Sequence, residues 1–288
     1  MKAKRLLLVF VVLALAAGLV LPAAAQDAPS GTWLGTWPYA APGVHNLNAF
    51  AAGGMNDNLG TTYRPFVSLT PAYFIWADND YMGLLADTWG FVDDNTAYEY
   101  HIKDGALWSD GSPVTAQDVV DTFDIGRILN WTQWSFLTSV EAVDSNTVRF
   151  NFTETGASLN AERLILKEYV VDSATYGDLA DQARQVVADG AAKDSDAWSA
   201  VSTAIAEFRP EVLNATGPYT YALSDVGEAF MTLHWQPNSL YSDSVQWGTM
   251  KLWAGETEVT TPLVLSGELA YATNVYPPAT IQSFADAG

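Results

Sequence analysis

Between residues 98 and 123 the chain spells out a strand, a turn, an anchored loop and a helix start, and few folds accommodate that order. Tyr98, Tyr100 and Ile102 alternate with Glu99, His101 and Lys103, the period of two that marks a half-buried strand. Asp104-Gly105 ends that strand as a turn. Thr115, followed three residues later by Asp118, has the spacing of a capping box, and a carboxylate is favoured at a helix N-terminus. Val119, Val120 and Phe123 supply the apolar stripe of the helix that follows. Trp108, between Gly105 and Gly111, reads as an anchor that tucks the connecting loop against the core.

The rest of the chain extends this pattern. Residues 32–39 read as a first strand, which runs into a loop rich in Asn and Gly (Asn46, Asn48, Gly53, Gly54, Asn56, Asn58, Gly60). Residues 91–104 and 140–153 read as strands, the latter with an Asp144-Ser145-Asn146 turn ahead of alternating Val148, Phe150 and Phe152. A short helix over 158–168 and mostly helical structure over 176–208 follow. Trp198, Val201, Ile205 and Phe208 share one face there, and Pro210 stops the helix. Tyr219, Tyr221 and Leu223, then Met231, Leu233 and Trp235, form an alternating pair around Asp225-Val226-Gly227. Strands and helices are mixed without strict alternation, so the class is α/β in the mixed, α+β sense.

The first residues are read as a leader. Lys2, Lys4 and Arg5 precede an apolar run over 6–21 and then Ala23-Ala24-Ala25, the layout of a signal peptide cut before Gln26. At about 16 residues the run is short of the ~20 that a membrane span needs. The chain has no cysteine, which excludes disulfides, thiolate chemistry and a lipid-modified Cys anchor. Against 13 basic residues stand 33 acidic ones, a net charge of −20, and the leader holds three of the basic ones. Such a field repels nucleic acid and anionic membrane surfaces.

Nothing in the sequence points to a reaction. His45, His101 and His234 are isolated, so neither a metal nor another cofactor is expected. No nucleophile elbow, phosphate loop or dinucleotide fingerprint occurs. Carboxylate pairs such as Asp93-Asp94, Asp78/Asp80 and Glu256/Glu258 arise by chance among so many acids and single out no hydrolytic dyad. Aromatic residues are more suggestive: they make up 12% of the chain and include 11 Trp, a surplus that fills a large core or stacks on a ligand. Beside loops lie Trp33, Trp37, Tyr39, Trp76, Trp131 and Trp134, with amides from Asn46, Asn48, Asn56 and Asn58 able to meet hydroxyls or peptide groups. The expected ligand contacts are Trp37, Tyr39, Asn46, Asn48, Trp131 and Trp134. For any one Trp, core packing is the competing reading.

Leu85-Ala86-Asp87-Thr88-Trp89, then Gly105-Ala106-Leu107-Trp108-Ser109-Asp110-Gly111, then Pro113-Val114-Thr115-Ala116-Gln117-Asp118-Val119-Val120 stand in an order that resembles a known signature. It is that of the large solute-binding proteins serving peptide, nickel and oligosaccharide ABC importers. Gly217-Pro218-Tyr219, Asn238 to Tyr241 and Gly267-Glu268-Leu269 extend the resemblance, with Ala270 where that family has Asp and Ser242 where Trp is common. It implies a two-lobed periplasmic-binding-protein-like fold, of which this chain looks like the N-terminal part. Residues 26–245 would form lobe one, with a subdomain around 50–150, and residues 246–288 the crossover and the start of a truncated lobe two. The implied function is binding without catalysis: capture of an oligosaccharide, such as a β-glucoside, or an oligopeptide outside the cytoplasmic membrane, and delivery to an ABC permease. A monomer in the periplasm or outside the cell is implied, and Trp37 and Tyr39 would face the cleft between lobes. The rival readings are a secreted carbohydrate-active enzyme and a carbohydrate-binding surface protein.

Overall fold

Among the described residues, alternation of apolar and polar side chains sorts the strands into three sheets. A computed structural model of the chain describes residues 28–37, 45–272 and 275–287, so the leader and Tyr39 lie outside the described residues. In the first sheet β1 (Thr32–Thr36) pairs in parallel with β10 (Thr249–Trp253), which pairs antiparallel with β9 (Phe230–Trp235), and β9 with β8 (Tyr219–Thr220). On the outer side of β1, Ala270 N–H donates to the Leu34 carbonyl at 2.8 Å, so the Gly267–Tyr271 stretch borders that edge. β2 (Ala72–Ile75) and β3 (Asp80–Gly83) make a separate hairpin.

The third sheet has the order β4-β5-β7-β6, from β4 (Ala86–Val92), β5 (Ala97–Ile102), β6 (Leu137–Ala142) and β7 (Thr147–Phe152), all antiparallel. Tyr98, Tyr100 and Ile102 of β5 are buried on the face that also buries Val148, Phe150 and Phe152 of β7. On the opposite face Glu99 stands across from Arg149, whose guanidinium donates to the Glu99 carboxylate at 2.7 Å. A one-residue slip would exchange those faces, which fixes the register.

Helices Ala116–Ile128, Leu159–Leu166, Ser173–Ala188 and Asp196–Glu207 cover these sheets. The last is the expected amphipathic one, burying Trp198, Val201 and Ile205. Two hydrophobic cores result among the described residues. One gathers Trp37, Tyr63, Ile125, Trp198, Tyr219 and Leu252, and the other Trp108, Phe123, Tyr98, Tyr100, Phe150 and Ile165. Helix Ala116–Ile128 contributes to both, with Ile125 and Ile128 in the first and Val119, Val120 and Phe123 in the second.

Three elements depart from the sequence reading. Residues 91–104 are the end of β4, a turn and β5 rather than one strand. The strand from Tyr219 ends at Thr220 and leaves Leu223 exposed, and the Asn/Gly-rich loop is partly helical. Residues 55–60 belong to the Asn/Gly-rich loop by composition, yet they open the Met55–Val67 helix. That helix is broken at Gly60, which takes φ 57°, and contains Pro65. Both residues disfavour a continuous helix, and burial of Met55, Leu59, Tyr63 and Val67 at helical spacing outweighs them.

The loop after β5 is organised by one carboxylate. Asp118, 4% exposed, accepts from Thr115 N–H at 2.7 Å and Thr115 Oγ1 at 3.1 Å, as the capping-box spacing anticipates. It also accepts from Trp108 Nε1 at 3.3 Å and from the N–H of Ser173, the first residue of helix Ser173–Ala188, at 2.7 Å. Trp108 is 2% exposed, the anchor its flanking glycines suggest. The adjacent Ser109 binds the far half of the chain: Ala215 N–H donates to its hydroxyl at 3.0 Å and Asn238 Nδ2 to its carbonyl at 2.9 Å.

Asp118→Ala removes the acceptor from four donors at once. A loss of about 3 kcal/mol or more is expected, read as a lower urea midpoint with an unchanged m-value. Asp118→Asn, which keeps one acceptor oxygen, should lose less. A variant Asp118→Ala as stable as the parent would contradict this role.

Candidate functional site

The C-terminal end of helix Ala116–Ile128 sets one wall of a cavity. Leu129 caps the helix, and Asn130 follows in the left-handed region at φ 58°. Asn130 N–H then donates to the Arg127 carbonyl at 3.2 Å and Trp131 N–H to the Gly126 carbonyl at 2.9 Å, the paired bonds of a Schellman ending. Asn tolerates the left-handed conformation better than most residues with a Cβ. The ring of Trp131 is thereby laid over Gly126, where a Cβ would stand 2.3 Å from ring carbon. Phe123 meets the same ring edge-on at 5.9 Å between centroids, and Phe50 lies 6.1 Å away.

Trp131 and Phe50 line a cavity of about 480 Å³ with Arg64, Lys167, Glu168 and Tyr169. Arg64 comes from the Met55–Val67 helix and lies 3.7 Å above the centre of the Tyr169 ring. Desolvation by burial pulls its guanidinium down to about 10, against the raising effect of Tyr169 and Glu168, so it stays charged at neutral pH. Burial likewise pushes the Tyr169 hydroxyl up. Glu168 is engaged by Gln133 Nε2 at 2.7 Å and Lys167 Nζ at 3.2 Å. Val171 N–H donates to Thr122 Oγ1 at 2.9 Å, which ties the segment carrying Lys167, Glu168 and Tyr169 to the helix that places Trp131.

The expected contact residues separate by environment. Trp131 lines the cavity. Trp134 packs beside it, its indole N–H donating to the Phe123 carbonyl at 2.8 Å and its ring carrying the Arg127 guanidinium at 4.4 Å. Trp37 is 2% exposed, donates its indole N–H to the Asn58 carbonyl and stacks against His45. Asn46 is buried and donates to the Ala52 carbonyl at 3.0 Å, while its side-chain oxygen accepts from Asn48 N–H at 2.9 Å. Asn48 donates to the carbonyls of Ile205 at 2.7 Å and Phe208 at 3.1 Å and accepts from Phe50 N–H at 2.8 Å. Both amides thus bind the chain's own backbone. Tyr39 lies outside the described residues.

Sequence reasoning missed Arg64, Lys167, Tyr169 and Phe50. One signal for Arg64 was present: it is the only Lys or Arg between residues 6 and 102. The cavity lining includes, among the described residues, one carboxylate, Glu168. Among the described residues, no cluster of three or more His, Asp or Glu is arranged to hold a metal ion, and no helix is long and apolar enough to cross a membrane.

Gly126→Ala improves helix propensity by about 1 kcal/mol yet must displace the Trp131 ring. Overpacking of about 1–3 kcal/mol should prevail, giving a lower melting temperature and a shifted tryptophan emission. A variant with raised stability and unchanged emission would show that Trp131 does not depend on Gly126.

Residues 80–288 match the model of the bacterial extracellular solute-binding proteins, family 5 Middle. A curated relative, the peptidoglycan-binding protein YepA of Agrobacterium fabrum, is 30% identical over 141 residues, covering 44% of this chain and 23% of YepA. Among solved structures, the mannohexaose-bound oligopeptide-binding protein of Thermotoga maritima has a TM-score of 0.60 at 17% identity, covering 90% of this chain and 44% of that one. The nonapeptide complex of the oligopeptide-binding protein AppA from Bacillus subtilis has a TM-score of 0.63 at 14% identity, covering 91% and 47%. The chain spans less than half the length of these proteins, and its mixed α/β architecture is that of the corresponding part of the periplasmic-binding fold. With that match over most of its length, the chain belongs to the bacterial extracellular solute-binding proteins of family 5.

Proposed function

We propose that this chain supplies the lobe-one wall of the substrate-binding component of an ABC importer, working outside the cytoplasmic membrane. The observation that carries the reading is the cavity of about 480 Å³ in which Trp131, Phe50 and the Arg64–Tyr169 stack converge, in a chain of this family. An aromatic face set among polar and charged groups suits capture and release of a small solute. In this reading residues 26–245 form lobe one, with a subdomain around the second core, and residues 246–288 lead into lobe two. The leader-like start supports an exported protein.

The cavity binds ligand between lobes. Closure follows because the closed state offers the ligand a second wall, and differential affinity for that state shifts the equilibrium. The closed form, as a monomer, then docks on the permease. Trp131 makes the ligand contact, while Trp37, Asn46 and Asn48 support the wall from behind. Oligosaccharide and oligopeptide are both compatible with such a lining. A peptidoglycan fragment joins the two chemistries in one molecule, and the name of YepA supports including it.

Calorimetry on the native protein with a nonapeptide, mannohexaose and a peptidoglycan disaccharide tripeptide tests this. Binding of at least one is expected, and Trp131→Ala should weaken it by about 5- to 150-fold, the loss of 1–3 kcal/mol typical of a buried stacking anchor. Heat from none of the three would contradict a binding function for this cavity.

A further inference from the structure

A second cavity, of about 320 Å³, adjoins the first. The two share Lys167 and Tyr169 in their linings. The second lies over the β2–β3 hairpin, where the Phe74 ring is 4.9 Å from both Trp76 and Tyr81. Arg163, from helix Leu159–Leu166, is held 4.6 Å from the Phe74 centroid and 5.4 Å from that of Trp76. Trp76 is nevertheless 77% exposed, a large apolar ring ordered by its neighbours and left open to solvent.

The charge around these cavities runs against that of the chain. Among the described residues Arg64, Arg163 and Lys167 line them together with one carboxylate, Glu168, although acidic residues outnumber basic ones 33 to 13 overall. Glu168 is already engaged by Gln133 and Lys167. The Arg64 guanidinium is held 3.7 Å over the Tyr169 ring, and the N–H groups of a guanidinium match the two oxygens of a carboxylate. Away from bulk water such a pair is strengthened. The flat, exposed Trp76 offers the complementary surface for a sugar face or other weakly polar plane.

We infer that the two cavities form one groove for an elongated, carboxylate-bearing ligand, its anionic part between Arg64 and Lys167 and its flat part over Trp76. This rests on the binding function proposed above and adds to it a charge requirement and a second contact region.

Calorimetry on the native protein with three probes tests both additions: a peptidoglycan stem tripeptide with free carboxylates, the same tripeptide with its carboxylates amidated, and the disaccharide tripeptide. Trp76→Ala, an exposed position that should fold normally, is expected to weaken the disaccharide tripeptide about 5-fold or more and leave the tripeptide unchanged. Amidation should weaken the tripeptide about 10-fold or more in the unaltered protein, a readout that needs no variant at Arg64. Arg64→Gln should abolish most of that difference. Equal loss of both carboxylate probes in Trp76→Ala, no loss of either, or amidated tripeptide bound as tightly as the free acid would overturn the inference. If the protein binds mannohexaose or a nonapeptide and none of the three fragments, the binding function stands and this inference falls. If it binds nothing in either panel, both fall.

Discussion

The buried carboxylate of Asp118 is the interaction on which the rest of the structure depends. It receives the N–H and hydroxyl of Thr115, the indole of Trp108 and the N–H of Ser173, joining a loop and the starts of two helices at one point. A buried carboxylate is costly unless its lone pairs are met, and here four donors meet them. The signature residues around it therefore read first as architecture: Trp108 and Asp118 fix the loop, and Ser109 binds Ala215 and Asn238 of the first sheet's surroundings.

The helix that Asp118 starts also sets both walls of the candidate site. At its far end the Asn130 ending turns Trp131 back over Gly126, and from its middle Thr122 holds Val171, two residues beyond Tyr169. The same helix places side chains in both hydrophobic cores. A binding wall built from a helix end and a loop fastened to that helix is held more firmly than one built on loops alone, which is what a pocket that must keep its shape without ligand requires.

Much of this was legible in the sequence because it is local. The alternation in β5 and β7, the Thr115–Asp118 spacing and the Trp108 anchor each depend on neighbours a few residues away, and the structure carries all three. The Met55–Val67 helix was hidden because Gly60, Pro65 and the surrounding Asn residues have loop composition, while its support comes from burial against distant segments. The site was harder to read. Composition shows that Asn46 and Asn48 can bind a ligand and cannot show that their amides bind the backbone at Ala52, Ile205 and Phe208. Arg64 and Tyr169 stand far apart in the chain and meet only through the fold.

The central claim is that this family member holds its ligand against the wall formed by Trp131 and the Arg64–Tyr169 stack. A crystal structure of the native protein grown with the peptidoglycan disaccharide tripeptide tests it most directly. The account predicts ligand density within van der Waals contact of the Trp131 ring and within hydrogen-bond distance of the Arg64 guanidinium. Density for the same ligand elsewhere, with that cavity holding only water, would contradict it.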